Sequence, residues 1–72
     1  MVDYEQLSKN IKSALDSKPG GAIHMSESTL KGFKKYTYII EEQLDPRAVS
    51  MYYGSQIYID NNLDEGVCEI WQ

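Results

Sequence analysis

The chain has one cysteine, Cys68, one histidine, His24, two prolines, and no basic side chain in its last third. Each scarcity excludes something. A single thiol forms no internal disulfide, and one cysteine with one histidine cannot make up the Cys/His sets that hold structural zinc. Thiol catalysis would need these two side chains within hydrogen-bond reach and a third group to orient the histidine. Cys68 stands beside Val67 and Ile70 in an apolar strand pattern, where a cysteine acts as a small inert hydrophobe. Asp60, Asp64 and Glu65 surround Asn61-Asn62 without the regular oxygen spacing of a calcium loop, and they read as a solvated turn. No glycine-rich turn with a lysine joins a strand to a helix, so there is no phosphate loop. No apolar run approaches the ~20 residues of a membrane span. The segment Met1-Val2-Asp3-Tyr4-Glu5 is acidic from the outset and lacks the layout of a signal peptide. The expectation is a cytoplasmic protein without enzymatic activity, cofactor or metal.

What is present fits one small domain. The 72 residues are expected to form a single α+β domain over 1–72. A chain of this size buries only about 60% of the surface its unfolded form exposes, so good packing or a partner subunit must support it. The net charge is −4, and it is unevenly placed. Residues 1–47 hold all seven bases and seven of the acids, whereas residues 48–72 hold Asp60, Asp64, Glu65 and Glu69 alone. Such a surface repels nucleic acid, which proteins bind by neutralising phosphates with Lys and Arg. It favours a protein partner with a basic surface, although net charge also serves solubility.

Periodicity places the elements. Asp3 with Gln6 resembles a capping box, and Tyr4, Leu7, Ile11, Ala14 and Leu15 form the apolar stripe of a helix over 4–17 that Pro19-Gly20-Gly21 ends. Residues 21–25 suit a short strand with Ile23 and Met25 on one face and Ala22 and His24 on the other. Ser26 and Ser28 qualify as N-caps of a second helix whose stripe runs through Leu30, Phe33, Thr37, Ile40 and Leu44 to the Asp45-Pro46 break, against the strand propensity of residues 36–40. Met51-Tyr52-Tyr53, a Gly54-Ser55 turn and Gln56 to Asp60 read as a type II′ hairpin, and residues 67–71 as a last strand. The architecture expected is two helices packed on one face of a small antiparallel sheet, in the order helix, short strand, helix, three-stranded meander.

Six tyrosines and one tryptophan exceed what a small core hides. The hairpin register expected from a Gly54-Ser55 turn turns Tyr52 inward opposite Ile57 and sends Tyr53, Tyr58 and Asp60 outward, beside Glu69 and Trp71. With Asp64 and Glu65 of the acidic turn, these residues (Tyr53, Tyr58, Asp60, Asp64, Glu65, Glu69 and Trp71) are the candidate partner-binding set: aromatic anchors ringed by carboxylates.

Tyr53-Gly54, then Ile57-Tyr58-Ile59-Asp60, then Leu63 and Glu65-Gly66-Val67, resembles a hairpin pattern of small accessory proteins encoded by bacteriophages and prophages. The resemblance implies a protein that binds and inhibits a host enzyme or defence protein in the host cytoplasm. It assigns no residue roles. The alternative is a structural or homo-oligomeric component of a virion or larger complex, in which self-association relieves the marginal core.

Overall fold

A computed structural model describes residues 1–72. Helix α1 spans Tyr4–Ser17, and the Asp3 carboxylate caps it by accepting from the Gln6 amide at 3.1 Å. Only half of the expected capping box forms, because the Gln6 side chain turns along the helix to Asn10. Leu7, Ile11 and Leu15 bury the predicted stripe. Strand β1, Ala22–Met25, follows, with Ile23 and Met25 fully buried. Helix α2 spans Glu27–Tyr36 and is capped by Ser26, whose hydroxyl accepts from the Thr29 amide. Strands β2 (Ser50–Tyr52), β3 (Ser55–Ile59) and β4 (Cys68–Trp71) complete the order.

The α+β class and the order of elements are those expected. Three local features differ. Helix α2 stops at Tyr36, well short of Leu44: Thr37 takes extended angles, and residues 37–49 run as an irregular strap. The β-branched and aromatic run prevails over the helical stripe because extended chain buries Ile39 (7% exposed) and turns Ile40 (44% exposed) outward, where its backbone bridges Met51. The apolar spacing that suggested a longer helix belongs partly to a period of two.

The hairpin turns at Tyr53-Gly54, one residue earlier than the glycine position suggested. Both residues have positive φ (53° and 78°), as a type I′ turn requires. Tyr52 therefore pairs with Ser55, Met51 with Gln56 and Ser50 with Ile57. Tyr52 still faces inward, but beside different partners.

The sheet is mixed rather than antiparallel. Its order is β2-β3-β1-β4, with β1 parallel to β3 and antiparallel to β4. The expected meander is split: β4 lies beside β1, not β3. Burial explains the insertion. Ile23 sits between Ile57 and Ile70, its cross-strand partners on either side, so the central place hides both apolar side chains of β1 completely. The chain crosses the end of β1 in the turn after β3, where the Asp60 amide donates to the Met25 carbonyl at 2.9 Å.

Both helices cover one face. Phe33 is fully buried, edge-on to Tyr52 with centroids 4.8 Å apart, within a core that includes Leu7, Ile11, Leu30, Ile39 and Ile57. Ile59, Cys68 and Ile70 pack against that core, so the inward faces expected for β3 and β4 are the ones observed.

Candidate protein-binding face

The other face of the sheet carries no helix. Strand alternation puts Ala22 and His24 of β1, Gln56 and Tyr58 of β3, and Glu69 and Trp71 of β4 on it. His24 is in register with Tyr58 on one side and Glu69 on the other. Its imidazole stacks between two aromatic rings, with centroids 5.4 Å from Tyr58 and 4.2 Å from Trp71. Trp71 is 55% exposed, and its indole N–H donates to Glu69 at 3.1 Å. The His24 Nε2 is shielded from solvent and has no hydrogen-bond partner.

The strap frames this face. Gln56 Oε1 accepts from the amides of Leu44 and Asp45, and the Tyr58 hydroxyl donates to Asp45 Oδ2 at 3.0 Å. Asp45 also accepts from the Arg47 amide and pairs with its guanidinium at 3.0 Å. Those Arg47 contacts, with the Tyr58 bond, bring the Asp45 carboxyl down to about 2. The same bond to Asp45, with some burial, raises the Tyr58 phenol. A groove of about 400 Å³ opens here, lined by Gly20, Ala22, His24, Arg47, Tyr58, Trp71 and Gln72.

Of the seven candidate residues, the fold brings together Tyr58, Glu69 and Trp71. Tyr53 lies apart, in the hairpin turn on the helix side, with the Lys12 ammonium 5.8 Å from its ring. Asp60, Asp64 and Glu65 lie in the β3–β4 connection at one end of the sheet. Asp60 Oδ1 caps its own turn by accepting from the Asn62 amide. The neighbouring Asn61 side chain accepts from Glu27 at the start of α2, and Gly66 donates to Thr29. Glu65 borders Asp3 and Gln6 at the start of α1. The connection that carries these acids thus runs past the starts of both helices, and Glu65 lies beside that of α1, where negative charge is favourable for the fold itself. The expected ring of carboxylates around an aromatic anchor reduces to Glu69.

His24, Ala22, Gln56, Asp45 and Arg47 complete the face without having been candidates. Alternation already set Ala22 and His24 opposite the core. Only the insertion of β1 between β3 and β4 puts them between Tyr58 and Trp71. Cys68 and His24 look to opposite faces, and burial pushes the Cys68 thiol up to about 11.

No helix is long and apolar enough to cross a membrane. The chain matches no protein-family model, and no curated protein or solved structure is significantly similar to it.

Proposed function

We propose that the protein is a small non-enzymatic binding module that engages a protein with a basic surface through the uncovered face of its sheet. The single observation that carries this reading is the Tyr58–His24–Trp71 stack on a face without a helix, with Trp71 half exposed at its rim. Tyrosine and tryptophan supply large, rigid contact area and dominate interface energetics. Net charge of −4, with Glu69 on the face and Asp60, Asp64 and Glu65 at its end, steers a basic partner toward it. In this reading the protein acts in the cytoplasm as a phage-type accessory protein that inhibits a host enzyme or defence protein. The opposed faces of Cys68 and His24 favour binding over thiol catalysis.

The test is capture from bacterial lysates with tagged wild-type, Trp71→Ala and Tyr58→Ala proteins, followed by mass spectrometry. The reading expects one host protein on the wild type, less of it as salt rises, and loss of it on both variants. Equal capture by all three, or no specific capture from several hosts, would overturn it.

The outer edge of β4 favours a second reading, self-assembly. That strand ends the sheet with no strand beside it, and the one side chain bonded along it is Lys18, which reaches the Ile70 carbonyl at 3.4 Å. Light scattering after size exclusion decides: a monomer at every concentration removes this reading in its self-associating form.

A further inference from the structure

The geometry points to the groove beside Trp71 as a slot for one aromatic side chain of the partner, stacked between the Trp71 ring and the Arg47 guanidinium over Ala22. This inference rests on the binding-module reading and specifies what the partner must present. The slot exists because β1 carries its smallest side chain where its neighbours carry large ones. Ala22 pairs directly with Trp71, and Gly20 lies two residues before it, so the end of the groove beyond His24 has almost no side chain on its floor. Arg47, Tyr58, Trp71 and Gln72 line the rest of it, with His24 already filling the space between the Tyr58 and Trp71 rings. A volume of about 400 Å³ accommodates a ring with its solvent shell removed.

Charge selects the occupant. The only cation lining the slot, Arg47, is already paired with Asp45 through two guanidinium nitrogens at 3.0 and 3.3 Å, so the slot offers no free charge. A lysine or arginine from the partner would meet the Arg47 guanidinium. A phosphate would meet Asp45, Glu69 and the overall negative charge, which argues against a nucleotide strand. A neutral aliphatic group would gain from burial against the indole but not from ring stacking or cation–π attraction. A neutral aromatic ring gains from both: stacking on the indole, and cation–π attraction to a guanidinium whose side chain remains 85% exposed despite its ion pair. A tyrosine-type ring is therefore the occupant that uses both.

The experiment is a two-dimensional amide spectrum of the whole labelled chain, titrated separately with N-acetyl-tyrosinamide, N-acetyl-leucinamide and a single-stranded thymidine tetranucleotide. Trp71 supplies the chain's one indole N–H, so its signal is unambiguous. Expected are saturable shifts at the Trp71 indole and the Ala22 amide with the tyrosine probe, in about the millimolar range for so small a ligand. The leucine probe should bind about 5-fold more weakly, the factor that ring stacking contributes. Ala22→Val fills the floor while improving strand propensity, so it should abolish the shifts and keep the amide dispersion of the fold. Equal binding of the leucine probe, tighter binding of the tetranucleotide at the same signals, or undiminished shifts in Ala22→Val would overturn the slot. So would shifts produced by protein concentration alone and removed by Tyr38→Ala, which takes away the most exposed tyrosine of the chain (84%), since a second copy would then be the occupant. Capture separates the two readings: if Trp71→Ala loses the partner and Ala22→Val retains it, the slot is wrong and the binding module stands.

Discussion

The hydroxyls of Ser8 and Tyr52 share a buried hydrogen bond of 2.8 Å across 44 residues of sequence, tying the middle of α1 to the end of β2. Both residues are buried, so neither oxygen has water to fall back on. Tyr52→Phe leaves Ser8 with an orphaned hydroxyl and should cost about 1–2 kcal/mol in urea unfolding. Ser8→Ala should cost a similar amount by orphaning the phenol. The double variant should cost clearly less than the two singles added together, because it removes both unsatisfied groups at once. Simple additivity would show that the bond contributes little.

Gly32 and Tyr4 give a substitution whose sign depends on its background. A Cβ on Gly32 would overlap the Tyr4 ring, which lies across α2 and stacks on Phe33 with centroids 6.5 Å apart. In an open helix, Gly→Ala gains about 1 kcal/mol. Here Gly32→Ala must expel the tyrosine and should destabilise the protein. In a Tyr4→Ala background the clash is gone, and the same change should stabilise by about 0.5–1 kcal/mol. Thermal unfolding of the four proteins measures the reversal, and a gain from Gly32→Ala alone would show that Tyr4 rearranges freely.

Tyr53 occupies a left-handed position, φ 53°, that favours Asn, Asp or Gly. Tyr53→Asn should therefore stabilise the hairpin by about 0.5–1 kcal/mol, after allowing for the lost contact with Lys12. Because this turn lies on the helix side, the variant should retain whatever the open face captures. Loss of capture with a stabilised fold would return Tyr53 to the interface.

Local chemistry made α1, β1 and the inward faces of β3 and β4 legible, because each depends on a cap or an alternation within its own segment. Residues 36–44 misled because apolar spacings of three and four there coincide with a run of strand formers, and the burial of Ile39 decides between them. The hairpin shifted because Gly54 satisfies either position of a two-residue turn, and the sequence around it does not say which. The place of β1 between β3 and β4 is a long-range packing outcome that no local pattern writes. The candidate site depended on it. Tyr58, Glu69 and Trp71 were legible as outward residues one strand at a time, but their joining through His24 was not. The acids at 60–65 looked like part of the same surface because they are near in sequence, although the connection after β3 carries them to the end of the sheet, past the starts of the helices.

The strap should respond to acid through Asp45. Its folded carboxyl titrates at about 2, against an ordinary value of 3.8, because Arg47 and Tyr58 bond the charged form. The depressed value fixes the sign. Between 3.8 and about 2 the unfolded chain binds more protons at this position than the folded one. The contribution of Asp45 is therefore complete above 3.8 and is lost as pH falls through about 2. Asp45→Asn keeps an acceptor for the Arg47 amide but removes the charge. The wild type should be the more stable of the two at neutral pH, by a margin that narrows with added salt because the Arg47 side of the pair is 85% exposed. That margin should stay constant down to about pH 4 and close between there and pH 2. Comparing the two proteins cancels the titration of the other ten acids. The aromatic signals of Tyr58 should report the same event, shifting in the wild type over this window and remaining fixed in the variant. A margin independent of pH, or one that closed above pH 5, would show that the Asp45–Arg47–Tyr58 contacts do not hold the strap in solution.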